Sequence, residues 1–265
     1  MSDVQTESVR DYWNNHPLGT QYSDLPDSEI GTSKFFDEIK PWMNPYKFPD
    51  VMPRIDREAE KLKGCHILEV GCGLGFDTVE WLSRGVRVTA VDLSPVAVGL
   101  TRKHLDYRGL SAEAVQVENA LDLSFEDNTF DAVYSIGVLH HTGDTARAIR
   151  EVHRVIKPNG RAIVCHLYRR PSWFHFLSKL GKENIEFKDQ DPPVIDFYTE
   201  EEVLDMFAQF EVEQLMQDHY RALPIARKGF MATMYRLGFR PAYNLLPTSI
   251  AKRFAHKISV IADKR

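Results

Sequence analysis

Between about residues 66 and 167, short β-branched runs alternate with longer amphipathic segments. HILEV (66–70), VRVTAVD (86–92), AEAVQVE (112–118), FDAVYSIG (130–137) and RAIVCHLY (161–168) read as five strands. Strands separated by helix-length pieces predict a parallel sheet covered by helices on both faces, the doubly wound α/β class. The helix between the second and third strands carries its own punctuation, with Ser94 to cap it, Pro95 for the first turn and Gly109 for the exit. From Asp144 to Ile156, the residues Ala148, Ile149, Val152, Val155 and Ile156 recur at helical spacing and predict a helix lying on the sheet. KPNG (157–160) then turns the chain into the fifth strand.

The flanks have a different character. Residues 1–60 mix aromatics with Pro17, Pro26, Pro41, Pro45, Pro49 and Pro53, a pattern of short helices and ordered loops that cover the domain formed by residues 61–265. Within that domain, insertions are expected at about 168–198 and 218–255. Thr199 and Glu202 have capping-box spacing and open a helix. A strand near EVEQLM and a last strand in HKISVIAD follow. His219 to Ala262 contains no Asp or Glu but carries Arg221, Arg227, Lys228, Arg236, Arg240, Lys252, Arg253 and Lys257.

Composition narrows the function classes. A chain of 265 residues, 43% hydrophobic, is long enough for one sizeable core. Its net charge of −5 argues against a dedicated nucleic-acid binder, which carries a basic excess. No apolar run approaches the roughly 20 residues of a membrane span, and MSDVQTES has acid where a secretory signal needs basic residues. A cytoplasmic location is expected. Cys65, Cys72 and Cys165 lack CxxC spacing and are expected to be reduced thiols, with neither a disulfide framework nor a zinc ribbon.

LEVGCGLGFD (68–77) stands between the first strand and the first helix, where a glycine turn lets a ligand approach the backbone. A dinucleotide site wants GxGxxG, but Gly71, Gly73 and Gly75 give GxGxG, with Phe76 in place of the third glycine. Glu69, just before the loop, would repel a pyrophosphate and attract an ammonium or sulfonium. Asp92 ends the second strand, where a carboxylate accepts from both hydroxyls of a ribose. Together they imply a nucleoside with a positive tail; the plainer alternative is a tight turn with no ligand.

ILEVGCGLG, VTAVDLS, ALDLSFEDNTFDAVYSIGVLHH and VHRVIKPNGRAIV, in this order over about residues 64–168, resemble the class I S-adenosylmethionine-dependent methyltransferases. The branch they resemble is the small-molecule one that includes ubiquinone and menaquinone biosynthetic enzymes. The resemblance implies a Rossmann-like sheet of seven strands with the last antiparallel, S-adenosyl-L-methionine as cofactor and S-adenosyl-L-homocysteine as product. Gly71, Cys72, Gly73 and Gly75 would surround the methionine part, Asp92 would hold the ribose and Leu93 would flank the adenine. Asn119, Ala120 and Leu121 would supply the rest of the adenine site, and Glu69 and Ile136 complete the cofactor set. Asn119 stands where such sequences commonly have Asp; its amide oxygen can still accept from the adenine amino group. VRDYWNNHPLGTQYS resembles a lid whose Tyr12, Trp13 and Tyr22 would exclude water and face the sulfonium; the alternative is an amphipathic helix packed on the core.

VLHHTGD (138–144) leaves three roles open for its histidine pair. A metal site lacks a third ligand at usable spacing, so none is expected. His140 and His141 could simply bond backbone carbonyls at the start of the crossover. Alternatively His141, at the ligand-binding edge of the sheet, is the general base for an acceptor that must lose a proton. Tyr168, after the fifth strand, is a second candidate for contact with the acceptor. The acid-free stretch is either a solvated face or an insertion that draws in an anionic small molecule or docks on an anionic membrane. The expected function is methyl transfer to a small molecule. The alternatives are C-methylation of a membrane quinone or lipid, a cofactor-binding partner subunit without chemistry, and an NAD-dependent dehydrogenase, against which Phe76 speaks.

Overall fold

The structure is a computed structural model and describes residues 3–47, 51–176, 192–219, 221 and 233–265. One seven-stranded sheet forms its centre. The strands are β1 (His66–Val70), β2 (Arg87–Asp92), β3 (Ala114–Val117), β4 (Phe130–Ile136), β5 (Ile156–Tyr168), β6 (Phe210–Asp218) and β7 (Lys257–Lys264), in the order β3-β2-β1-β4-β5-β7-β6. β1 to β5 pair in parallel, and β7 runs antiparallel to both β5 and β6. The five expected parallel strands, the strand near EVEQLM and the antiparallel last strand are all present.

Successive strand residues feed opposite cores. Leu68, Val133, Val164 and Val260 pack on the face covered by α6 (Thr145–Val155) and α7 (Glu200–Met206), where Ala148, Ile149, Val152 and Val203 meet them. Ile67, Ala132, Ile163 and Ile261 point the other way, onto Trp81 of α4 (Phe76–Ser83) and onto Met52, Ile55 and Ala59 of α3 (Met52–Lys61). Each such Val, Leu, Ile or Met side chain contributes about 1.5–3 kcal/mol on burial, so the period-two pattern leaves the strands no alternative register.

The helix signals act where they were read. Ser94 Oγ accepts from Ala97 N–H at the start of α5 (Pro95–Arg108), and Gly109 closes it at φ +63°. Asp144 caps α6 by accepting from Arg147 N–H, and Thr199 and Glu202 form a reciprocal capping box on α7. KPNG differs in form from a simple turn: β5 already begins at Ile156, and the excursion is a bulge with Asn159 at φ +62°.

The N-terminal residues form α1 (Asp3–Asn15), two short 3-10 turns and α2 (Ser33–Lys47). α1 packs against α5, while Phe35, Phe36 and Ile39 of α2 join Leu74 and Leu100 in a separate apolar cluster. Of the expected insertions, 177–191 in the first and Arg227 and Lys228 in the second lie outside the described residues. The described part of the second forms a π turn at Tyr235–Phe239 and the short helices α8 (Arg240–Asn244) and α9 (Thr248–Arg253). Among the described residues, no helix is long and apolar enough to cross a membrane.

Candidate active site

Strand order reverses direction between β1 and β4, and in an open α/β sheet the crevice at the C-terminal strand ends beside such a switch point is where ligands sit. A cavity of about 1570 Å³, its open mouth included, occupies that position.

One end is built by the glycine loop and the end of β2. Gly71 and Cys72 N–H groups both donate to Val91 O, at 2.8 and 3.0 Å, which folds the loop back over the sheet edge. Gly71 has φ +84°, and a Cβ there would stand 2.1 Å from Val138 Cγ2, so only glycine fits. Asp92 braces the loop: Oδ2 accepts from Gly73 N–H and Oδ1 from Ser94 N–H, each at 2.9 Å. Burial pushes the Asp92 carboxyl upward while the backbone donors at Ser94, Gly73 and Leu93 pull it down. Each oxygen retains a lone pair for a hydroxyl arriving from the cavity. Leu93, Glu118, Asn119, Ala120 and Ile136 continue this wall.

The opposite end is rich in rings and nitrogen. His140, His141, His166, Tyr168, His219 and Lys257 line it, drawn from the β4–α6 crossover, β5, the end of β6 and β7. The His141 Nδ1–H donates to Val194 O at 2.7 Å. Since a carbonyl only accepts, Nδ1 carries the proton of this bond. His140 stacks on Tyr168 at 4.2 Å and lies 4.1 Å from the His141 ring. Burial drives the His140 and His166 imidazoles well below the usual histidine range, helped by neighbouring His141 and His219 respectively and by Lys257. Both are therefore neutral at pH 7.

A roof of N-terminal residues spans the two ends. Val9, Trp13, Pro17, Leu18, Tyr22 and Met43 line the cavity from above. Trp13 meets His141 edge-on at 5.2 Å, and Asn14 Oδ1 accepts from Ser94 Oγ at 2.7 Å, tying α1 to the start of α5.

Thus Trp13, Gly71, Cys72, Gly73, Asp92, Leu93, Asn119, Ala120, Ile136, His141 and Tyr168 come together around one cavity. Four expected cofactor residues stand apart from its wall. Tyr12 turns into the α1 packing, stacked on His16 at 4.6 Å, because consecutive helix residues point about 100° apart and Trp13 takes the cavity side. Glu69 is buried behind the loop, accepting from Thr78 Oγ1 at 2.6 Å. Gly75 caps α4 and packs on Thr101. Leu121 belongs to the apolar core under α6. The Asn119 amide oxygen accepts from Leu121 N–H at 3.0 Å, so one of its lone pairs is already used within its own turn. Sequence reading missed His166, His219 and the cavity role of Lys257, which stand on separate elements with no local motif around them. Among the described residues, no cluster of His, Cys, Asp or Glu is placed to hold a metal ion.

Residues 68–164 match the family model described as a methyltransferase domain. A ubiquinone biosynthesis O-methyltransferase of Xanthomonas oryzae pv. oryzae is 33% identical over 150 residues, which are 54% of this chain and 57% of that protein. The match thus spans little more than half of the relative's length. Geranyl diphosphate C-methyltransferase from Streptomyces coelicolor A3(2), solved with S-adenosyl-L-homocysteine, superposes with a TM-score of 0.60 at 17% identity, over 98% of both chains. A [4+2]-cyclase superposes with a TM-score of 0.57 at 19% identity, over 98% of this chain and 92% of that one.

Proposed function

Residues 68–164 carry a methyltransferase domain, and from there we propose that the chain is a class I S-adenosylmethionine-dependent methyltransferase that methylates a small molecule held at the histidine-lined end of the cavity. The observation that carries this reading is Asp92: a carboxylate on the cavity wall, braced by Gly73 and Ser94, with a lone pair on each oxygen for a ribose diol. The Gly71 cradle, into which no Cβ fits, suits a ligand lying against the backbone. When bound, S-adenosylmethionine supplies a methyl group on a sulfonium. Leu93 and Ala120 would flank the adenine, and Asn119 would meet its edge through the amide group or the remaining lone pair of its oxygen.

The chain's own contribution is to bind, orient and exclude water. Trp13 covers the site beside His141 and shields it from solvent, which strengthens every charge interaction inside. His141 is the proposed general base. Its Nδ1–H bond to Val194 O orients the ring, and in the neutral ring Nε2 would be the atom that takes a proton from a hydroxyl or carbon acid. Tyr168 would position the acceptor against it. Calorimetry with S-adenosylmethionine, S-adenosylhomocysteine and NAD tests the reading: the first two bind and NAD does not. Comparable NAD binding removes it, and cofactor binding without turnover on any acceptor makes the chain a non-catalytic partner.

A second reading, methylation of a membrane-borne quinone or lipid, is supported by the exposed surface of the second insertion. Met234, Leu237 and Leu245 are 55%, 78% and 85% exposed in the acid-free stretch that also carries Arg236, Arg240, Lys252 and Arg253. Co-sedimentation with vesicles of anionic phospholipid separates it from a freely soluble acceptor.

A further inference from the structure

His166 and His219 both hold φ in the left-handed region, at +62° and +52°. Histidine adopts that conformation uncommonly, and it gathers where surrounding structure needs a side chain re-aimed. His166 occupies the irregularity in β5 where the register with β7 shifts between Val164 and Leu167, and His219 follows the last residue of β6. The distortions bring the two rings to 4.3 Å, on the cavity wall.

Lys257 belongs to the same wall. β7 pairs it with Tyr168 on one side and Asp218 on the other, and it is buried with its Nζ 3.6 Å from the centre of the Tyr168 ring. Asp218, the carboxylate 3.9 Å from His166 Nε2, is held by Arg54 through two contacts of 3.0 and 3.1 Å and accepts from Ser259 Oγ. His140 has no hydrogen-bond partner on either ring nitrogen, and His166 has none on Nε2, although all three atoms are closed to solvent. A buried polar atom left in this state is disfavoured, and a polar ligand seated against these rings relieves it. A ligand donor or acceptor meets a neutral imidazole equally well, but the ammonium of Lys257 selects a negative one.

We infer that Lys257, with His166 beside it on the cavity wall, forms a subsite for an ionised oxygen of the acceptor, so that the molecule methylated is a small conjugated anion. The aromatic lining suits a conjugated molecule: Tyr168 and His140 stack on each other at 4.2 Å, and Trp13 meets His141 edge-on at 5.2 Å. The shared chemistry is an anionic oxygen conjugated to a planar system, whether carboxylate or phenolate. The inference rests on the acceptor lying at this end of the cavity, as proposed above.

The test is calorimetry at pH 8 on the full chain saturated with S-adenosylhomocysteine, titrated with benzoate against benzamide and with 4-nitrophenolate against 4-nitroanisole. At least one anion is expected to bind about tenfold or more tightly than its neutral counterpart, and which pair responds distinguishes carboxylate from phenolate. Lys257→Met should remove the preference with S-adenosylhomocysteine affinity unchanged, and Lys257→Arg should keep it. Equal binding of anion and neutral probe in the unmodified protein, absence of binding by all four probes, or a preference that survives Lys257→Met overturns the inference. If S-adenosylhomocysteine fails to bind at all, the methyltransferase reading falls, and the same titrations on the ligand-free protein still decide the anion subsite.

Discussion

The two ends of the cavity are built on opposite plans. The glycine-loop end is local: Gly71, Gly73, Asp92 and Ser94 come from two adjacent strand ends and brace one another through backbone hydrogen bonds. The histidine end is assembled from α1, the β4–α6 crossover, a distorted stretch of β5, the end of β6 and the first residue of β7. The first end presents groups that the backbone holds in place. The second gathers imidazole rings and one ammonium from distant parts of the chain. A fold of this kind can hold one end constant and change chemistry at the other.

The contrast is sharpest at His141. His141→Ala should lower kcat by roughly 10²- to 10⁴-fold with cofactor affinity nearly intact, since a positioned base acts on the transition state. Activity should return in part at alkaline pH, where the acceptor ionises unaided. Turnover kinetics against pH, with calorimetry on S-adenosylhomocysteine, check both halves. Normal turnover at neutral pH would strip the histidine of its role as base and turn attention to Tyr168.

Asp92→Ala reverses the pattern. It should weaken cofactor binding by about 1.5–3 kcal/mol, the range for hydrogen bonds to a charged group, and calorimetry on the folded variant reads this directly. Gly71→Ala sets a β-carbon against Val138 at a positive φ. Overpacking of that kind costs about 1–3 kcal/mol, and it should appear as a lowered melting temperature together with weakened cofactor binding.

The smallest effect concerns acid stability. His140, His166 and His256 are buried and held well below the usual histidine range, so the folded state keeps them neutral while the unfolded chain protonates near pH 6.5. The unfolded state binds more protons there, so stability is fully present above that pH and is lost as pH falls towards the depressed folded values. The slope is up to about 1.4 kcal/mol per pH unit for each histidine. His140→Phe should flatten the dependence by that amount in urea unfolding between pH 7.5 and 5.5. An unchanged slope would mean that His140 already takes up a proton in the folded protein.

What the chain determined by itself is what depends on neighbours in sequence. Alternation along HILEV and RAIVCHLY committed the strands, because a shift of one residue would turn Leu68 and Val164 away from one core and Ile67 and Ile163 away from the other. Ser94, Gly109, Asp144, Thr199 and Glu202 marked helix ends because capping is a bond between residues a few positions apart. The glycine loop and Asp92 were legible for the same reason, being short-range backbone chemistry at a strand end. Which face of α1 meets the cavity was left to tertiary packing, which put Trp13 on the wall and Tyr12 in the core. Leu121 and Glu69, adjacent to residues of the cavity wall, were likewise claimed by the core and by Thr78. Nothing within any local window joins His166, His219 and Lys257. They meet only because β7 inserts antiparallel between β5 and β6, and that pairing carries residues about 40 to 90 positions apart onto a single wall.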